Sequence, residues 1–142
     1  MTDPVEIARR CADAMYDADL ASQRLGIAIA EIGPGRATAT MTVNENMVNG
    51  HGIGHGGYVF TIADTAFAFA CNTYNERTVA AGADINFLAP VNAGDKLSAT
   101  AVERSRRGRS GIYDVTVRTA DGTVVAEFRG RSRSLGTPHL SD

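Results

Sequence analysis

The stretch from His55 to Asn75 reads His-Gly-Gly-Tyr-Val-Phe-Thr-Ile-Ala-Asp-Thr-Ala-Phe-Ala-Phe-Ala-Cys-Asn-Thr-Tyr-Asn and is apolar on nearly every face of a helix. A helix that is apolar all round is buried. A membrane span is the other possibility, but it needs about 20 predominantly apolar residues in a row. Here Thr61, Asp64 and Thr65 stand near the centre. The sequence therefore predicts one long helix buried in protein.

Strand-like runs flank this helix on both sides. Two precede it and four follow it, and the bounds that we predict are 25–32, 36–43, 79–88, 95–104, 112–119 and 123–132. Asp121-Gly122 between the last two runs is a strong hairpin signal. We expect an α+β fold in which an antiparallel sheet wraps the single long helix, within one domain spanning 1–142.

The two chain ends carry weaker signals. Asp3, Pro4 and Glu6 have the spacing of a helix start with a capping box. Ile7, Cys11, Ala14 and Met15 then form one apolar stripe, while the residues from about Gly136 onward look frayed.

The amino-acid composition argues against several classes of protein. The 142 residues carry 14 basic and 16 acidic side chains, for a net charge of -2, so no broad positive field is available to bind nucleic acid. Cys11 and Cys71 sit among apolar neighbours, as buried free thiols do. The first residues lack a secretory signal. We therefore expect a cytoplasmic protein with neither nucleic acid nor membrane as a partner.

Asp64 is the most informative residue. A carboxylate midway along an apolar helix costs several kcal/mol of desolvation unless it is paired, neutralised or facing a cavity. It is either a general base or nucleophile in a closed site, or a structural group that bonds Thr61, Thr65 or a backbone amide and only fixes register.

The start of the helix supplies complementary chemistry. The first amides of a helix have no internal acceptor and lie at the positive end of its dipole, and Gly56 and Gly57 have no side chain to block an oxygen. The alternative is that these glycines merely permit a tight turn.

Gly56 and Asp64 are eight positions apart, about 12 Å along a helix axis. One reacting carbonyl cannot touch both. If both act, the second must come from another copy of the helix running antiparallel across a two-fold axis, which predicts a homodimer with two equivalent sites between subunits.

Two other motifs compete for the preceding loop. Gly52-Ile53-Gly54-His55-Gly56-Gly57 matches a dinucleotide-binding string, but no run of βαβ units surrounds it. His51 and His55 have the spacing of two metal ligands on a helix, yet the intervening glycines oppose helix and no third ligand is evident. We expect no metal and no cofactor, and we expect His55 to orient the loop or stabilise the site by a hydrogen bond.

The chain resembles the hotdog-fold thioesterases, most of all their phenylacetic-acid-degradation branch, over nearly its whole length. The residues that carry the resemblance are Asn49-Gly50-His51, His55-Gly56-Gly57, Ala63-Asp64-Thr65-Ala66-Phe67-Ala68, Ile85-Asn86-Phe87-Leu88, Gly94-Asp95, Gly111-Ile112-Tyr113-Asp114-Val115 and Val125-Ala126-Glu127-Phe128-Arg129-Gly130. The resemblance implies hydrolysis of an acyl-coenzyme A thioester, an aryl-acetyl one such as phenylacetyl or hydroxyphenylacetyl-CoA. It also implies a homotetramer built from hotdog dimers.

The resemblance assigns roles to single positions. Asp64 matches the essential carboxylate, which faces the partner subunit's loop, and Gly56 matches the glycine whose amide polarises the thioester carbonyl. Asn49 matches a loop residue that positions the carbonyl or the water, and Thr65 follows the carboxylate as in the phenylacetate branch. His55 and Gly57 are assigned to substrate binding.

The chain departs from the family in two places. Gly82 stands near a position where related branches place Ser or Thr to support the water, and Ala89 replaces an Arg that precedes Pro90 in many members.

Phosphate binding could instead use arginines elsewhere. Those at Arg104, Arg106, Arg107 and Arg109 crowd a turn, and Arg129, Arg131 and Arg133 share one strand face. The alternative is that they guard sheet edges and keep the protein soluble. We assign coenzyme A binding to Arg107 and Arg109.

Two other functions remain open. A non-catalytic acyl-CoA-binding module would gain nothing from a buried acid, and an enoyl-CoA hydratase could share the fold. The acyl group is not fixed either, since four aromatic residues could line a pocket or form core: Tyr58, Phe60, Phe67 and Phe69.

Overall fold

The computed structural model describes residues 3–141. The helices are α1 (Pro4–Ala18), α2 (Leu20–Arg24) and α3 (Gly56–Cys71), with a 3₁₀ turn at Glu45–Met47. The strands are β1 (Ala28–Gly33), β2 (Arg36–Thr42), β3 (Thr78–Phe87), β4 (Lys96–Arg107), β5 (Ser110–Arg118) and β6 (Val124–Ser134). The prediction of one central helix with two strands before it and four after it is confirmed.

All six strands form one antiparallel sheet in the order β1-β2-β4-β5-β6-β3. Strand β3 follows α3 along the chain but crosses to pair with β6, so it forms an edge of the sheet. Its backbone hydrogen-bonding groups are paired on one side only.

The sheet packs against α3 chiefly through β2, β4 and β5. Small side chains make this possible: Ala37 and Ala39 on β2 and Ala99 and Ala101 on β4 are fully buried beneath the helix. Close approach is also required at Gly130, where an added Cβ would lie 2.7 Å from the Phe67 ring. The helix is held by apolar burial on most of its faces, as its sequence predicts.

The structure corrects the predicted N-terminal region. Asp3 caps α1 and Pro4 occupies its first turn as expected, but the Glu6 side chain pairs with Arg9 instead of completing a capping box. Ala14 is exposed. The buried residues of the helix are Ala8, Cys11 and Ala12, and Met15 of the predicted stripe packs against the core while partly exposed.

The first strand begins three residues later than predicted. Helix α2, which the sequence analysis missed, intervenes after an Asp19 cap, and Gly26 turns the chain at φ 73° before β1. Five residues are too short for a periodic pattern to be recognised.

The prediction of a frayed C-terminus is wrong. The imidazole Nε2 of His139 lies 2.7 Å from Asn72 Oδ1, and the Asn75 side chain accepts the amides of His139 and Leu140 at 2.9 Å. The tail is therefore fastened to the C-terminal end of α3. Among residues 3–141, no helix has both the length and the apolarity that crossing a membrane would require.

Candidate active site

The loop before α3 is tied to its surroundings by backbone hydrogen bonds. The Gly54 amide donates to the Val91 carbonyl at 2.5 Å, and the His55 amide donates to the Met47 carbonyl at 2.7 Å. His55 then caps the helix, since its Nδ1 accepts the Gly57 amide at 2.9 Å. This contact places the ring proton of neutral His55 on Nε2.

The first amide of α3 is open. Within residues 3–141 the Gly56 N–H makes no hydrogen bond, because the first turn of a helix offers it no acceptor. The Gly57 N–H, in contrast, is occupied by His55. Of the two amides considered from the sequence, Gly56 is the one that can receive a developing oxyanion at the positive end of the helix dipole.

Gly56 opens onto a cleft of about 400 Å³. Asn49 lines the same cleft, so the structure brings these two predicted residues together. The other walls are apolar and come from the loop, from α3 and from the segment after β3, including Ile53, Val59 and Val91. Larger depressions on the outer sheet face and beside α1 contain none of the predicted catalytic residues.

Asn49 presents a donor to this cleft. Its Oδ1 accepts the His51 amide at 2.9 Å and the Ile53 amide at 3.4 Å. Because both partners are donors, the orientation of the carboxamide is fixed by the loop itself. The Nδ2 group makes no hydrogen bond in the part of the chain that the structure describes, so it can donate to a carbonyl or to water.

Asp64 is half-buried and has no bonded partner in the described part of the chain. Desolvation by burial raises the pKa of its carboxyl. The structural alternative required a bond to Thr61, Thr65 or a backbone amide. Instead, Thr61 donates to the Gly57 carbonyl and Thr65 donates to the Thr61 carbonyl, each at 2.8 Å. A carboxylate without a local partner is available for chemistry.

Thr65 is buried, and its hydroxyl proton is used by the helix backbone. Thr65 is also not among the residues that line the Gly56 cleft. Its catalytic role stays a prediction.

Asp64 does not lie in the Gly56 cleft of its own chain either. The two residues stand at the first and ninth positions of α3, which separates them by about 12 Å along the axis. The chain thus presents two halves of a possible site without joining them.

The predicted coenzyme A arginines lie at the other end of the molecule. Arg107 and Arg109 flank the β4–β5 turn, where Gly108 has φ 61°. Arg109 lines a small cavity together with Cys71, the last residue of α3. Within one chain the end of α3 beside this turn lies about 22 Å along the helix axis from Gly56.

The arginines near the β4–β5 turn differ in whether their guanidinium groups already have protein partners. Arg106 stacks 3.7 Å above the Tyr74 ring and pairs with Glu76 at 3.4 Å. Neither Arg107 nor Arg109 makes an ion pair or side-chain hydrogen bond within residues 3–141. These two guanidinium groups can therefore receive an anion.

Two of the three arginines on the outer face of β6 have protein partners, whereas Arg133 makes no ion pair or side-chain hydrogen bond within residues 3–141. Arg129 pairs with Asp114 through two bonds of 2.7 and 2.9 Å, and Arg131 pairs with Asp84 at 3.0 Å. These contacts match the structural alternative, in which the arginines balance charge along the sheet.

The structure shows which residues surround Gly82 and Ala89, the two departures from the family pattern. Gly82 lies at a β-bulge, and an added Cβ there would meet the Arg131 guanidinium at 2.9 Å. Ala83, the next residue, packs toward the core instead. Ala89 lines the Gly56 cleft and brings no charge to it.

Sequence reasoning missed the two residues that shape the cleft mouth, Phe87 and Leu88, which are 55% and 58% exposed. The helix aromatics Phe67 and Phe69 are core, and Phe60 stacks edge-on against Phe128. Alternation along β3 places Phe87 on the same face as Ile85, which packs against the core, but it does not show that the Phe87 ring lies against Gly56.

The competing motifs find no support in this geometry. The glycine-rich string leads into a helix, but the sheet formed by the described residues is antiparallel throughout and contains no βαβ unit. His51 lies in the loop and His55 caps the helix. Among residues 3–141, no three His, Cys, Asp or Glu side chains are grouped as metal ligands.

Comparison with known proteins extends this description. The thioesterase superfamily model matches residues 51–126. The acyl-coenzyme A thioesterase PaaI of Escherichia coli is 45% identical over 125 residues, which cover 88% of this chain and 89% of that protein.

Solved structures agree with this match. The Escherichia coli PaaI protein from the phenylacetic acid degradation operon superposes with a TM-score of 0.94 at 42% identity, covering 96% of this chain and 99% of that one. A mutant of the phenylacetic acid degradation protein PaaI from Thermus thermophilus has a TM-score of 0.77 at 33% identity, covering 80% of this chain and 97% of that one. The sheet wrapped around α3 is the hotdog fold, and the chain belongs to the thioesterase superfamily.

Proposed function

We propose that this protein is an acyl-CoA thioesterase that hydrolyses its substrate to the free acid and coenzyme A. The observation that carries the proposal is a pair of groups on α3 that have no hydrogen-bond partner within residues 3–141, the Gly56 amide and the carboxylate of Asp64. One stabilises negative charge on a carbonyl oxygen and the other accepts a proton or attacks carbon.

In this mechanism the thioester oxygen lies against Gly56 N–H, and Asn49 Nδ2 donates to the same oxygen or to the attacking water. Asp64 takes a proton from water as the water oxygen adds to the carbonyl carbon, or adds to that carbon itself. The carbon–sulfur bond then breaks, and the coenzyme A thiolate leaves and takes up the proton that came from water. If Asp64 has itself attacked, the acyl group remains on it as a mixed anhydride, and water hydrolyses this anhydride to the free acid, which restores the Asp64 carboxylate and supplies the thiol proton. Thr65 supports the backbone beneath Asp64, and His55 holds the loop while offering Nε2–H to the substrate.

The two halves of the site meet only if two chains associate. We propose a homodimer in which antiparallel α3 helices bring Asp64 of one subunit to Gly56 of the other. The exposed edge strand β3 supports this arrangement, because its apolar side chains and half-paired backbone need a neighbour. Two such dimers form the homotetramer implied by the family resemblance.

Coenzyme A phosphates are proposed to bind Arg107 and Arg109. The antiparallel arrangement supports this assignment, because it brings the C-terminal end of the partner's α3, and with it the partner's β4–β5 turn, toward the Gly56 end of the first subunit. Replacing both arginines by glutamine should raise KM for acyl-CoA and weaken its salt dependence. Each single replacement, Arg107→Gln or Arg109→Gln, is compared with Arg118→Gln, which removes the same one charge at the other end of β5, and an equal effect there would contradict the assignment.

The acyl group is proposed to be aryl-acetyl. Support comes from the phenylacetic acid degradation proteins named above and from the apolar cleft beside Gly56. The protein is proposed to act in the cytoplasm, since both cysteines are buried free thiols, as a reducing compartment allows.

Release of free thiol from a panel of aryl and alkyl acyl-CoA substrates tests the function and ranks the acyl groups. Turnover of at least one acyl-CoA is expected, with Asp64→Asn as the inactive control. Tight binding of acyl-CoA without thiol release would favour a binding module instead. Hydration of an enoyl-CoA with no thiol release would favour a hydratase.

A further inference from the structure

The Phe87 side chain lies at an unusual place for an exposed aromatic residue. Its ring tip points at the backbone of Gly56, and an added Cβ on that glycine would lie 3.1 Å from Cζ and 3.3 Å from Cε1. The ring therefore stands beside the Gly56 amide, which makes no hydrogen bond within residues 3–141.

The cleft offers few other features that could select an acyl group. Its polar groups, the Gly56 amide and Asn49, are both assigned to the carbonyl or the water. The remaining walls near the amide are aliphatic side chains and Pro90. Phe87 is the only aromatic ring that lines this cleft in the described part of the chain.

Within one chain the ring is uncovered, and in the proposed dimer it lies at the seam where the two halves of the site meet. Phe87 is 55% exposed, and no aromatic pair within residues 3–141 includes it. Two aromatic rings prefer edge-to-face or offset contact at centroid distances of about 4.5–7 Å, and such a pair gains more than buried area alone provides. A straight alkyl chain cannot obtain this additional gain.

We infer that Phe87 determines acyl specificity by stacking against an aromatic group that lies close to the thioester carbonyl. This inference rests on the proposed thioesterase function. It assigns the choice of acyl group to a residue that takes no part in the catalytic step. A carbonyl oxygen bound at Gly56 N–H places the first carbons of the acyl group next to the Phe87 ring.

The test compares two substrates of equal carbon number, phenylacetyl-CoA and octanoyl-CoA. The ratio of their kcat/KM values does not depend on the fraction of active enzyme. Phe87→Leu keeps an apolar side chain and removes the ring, and it should lower this ratio about threefold to tenfold, the scale of an aromatic pair. Phe87→Tyr retains the ring and should leave the ratio near that of wild type.

Val79→Ala is the matched control, because Val79 is an exposed apolar residue on the same edge strand but outside the cleft. It should not change the ratio. If Phe87→Leu leaves the ratio unchanged, or if Val79→Ala changes it equally, Phe87 is only an edge contact and the inference is overturned. Should Phe87→Leu not fold, Phe87→Met makes the same comparison.

Failure of the proposed function would look different. A wild-type protein that hydrolyses neither thioester contradicts the thioesterase activity, and both compounds can then be titrated as ligands. The same ratio, taken from Kd values, should fall in Phe87→Leu and stay constant in Val79→Ala if Phe87 selects the acyl group. Equal ratios in all variants would overturn the inference in that case as well.

Discussion

Replacing Gly56 by proline removes one hydrogen atom that the account makes essential. Proline is favoured in the first turn of a helix, where its missing N–H costs no intrahelical bond. His55, which precedes it, already has the extended backbone that a following proline requires, with φ -65° and ψ 131°. The resting protein loses no hydrogen bond, because the Gly56 amide makes none within residues 3–141.

Gly56→Ala is the matched control. Both variants add a Cβ that approaches the Phe87 ring at 3.1 Å, and the half-exposed ring can move aside. Alanine keeps the N–H and proline does not. The difference between the two variants therefore isolates the amide.

The expected effect on chemistry is large. Removing one oxyanion donor costs a factor of about 10²–10³ in kcat. Thiol release by Gly56→Pro should fall by about this factor relative to Gly56→Ala, while the melting temperatures of the two variants stay close. A Gly56→Pro enzyme with the kcat of the alanine variant would refute the assignment of this amide to the carbonyl oxygen.

Three further changes test the remaining groups. Asp64→Asn should retain the fold and lower kcat by a factor of about 100 or more. Because burial raises the pKa of Asp64 in the folded protein, the stability of wild type relative to this variant should fall as pH rises through that pKa. Thermal unfolding at acidic and neutral pH measures this difference, and a relative stability that rises with pH would show that the folded protein stabilises the carboxylate. Asn49→Asp keeps the oxygen that accepts two loop amides but loses the Nδ2 donor. Thiol-release assays should therefore show a lower kcat with little change in melting temperature, and an undiminished kcat would exclude the donor role. His55→Ala removes the helix cap and should lower the free energy of unfolding, measured with denaturant, by about 1 kcal/mol. His55→Asn can still accept the Gly57 amide and should keep most of that free energy, so equal losses in the two variants would show that the cap does not contribute.

The fold could be predicted because its signals are local and agree with one another. An apolar run with no polar face predicts a buried helix, and alternating runs ending at Gly33-Pro34-Gly35 and Asp121-Gly122 predict antiparallel strands. The order of the strands could not be read in the same way, since the pairing of β3 with β6 joins distant segments. The attached tail was missed for a related reason, because Asn72 and Asn75 bind it across more than sixty residues of sequence.

The site was predictable where a residue type conflicts with its surroundings. Asp64 on an apolar helix is such a conflict, and the structure provides no bonded partner within residues 3–141 to resolve it. Phe87 was missed because an apolar residue on a predicted strand conflicts with nothing. Its importance appears only when the crossing of β3 brings its ring against Gly56.

The difference between Gly56 and Gly57 also required coordinates. Both are glycines in the first turn, and helix geometry alone leaves both amides open. The His55 side chain turns back and occupies one of them. Which amide remains free depends on a side-chain orientation that sequence spacing does not determine.

The most direct test of the shared site is a subunit-mixing experiment. Asp64→Asn and Gly56→Pro proteins are unfolded together in equal amounts and refolded, beside each variant treated alone. If a site combines Gly56 of one subunit with Asp64 of the other, random association leaves about a quarter of the sites with both groups intact, and thiol release should recover to about a quarter of the wild-type rate. A mixture no more active than its two components would contradict the account, since that result is expected when both groups must belong to the same chain.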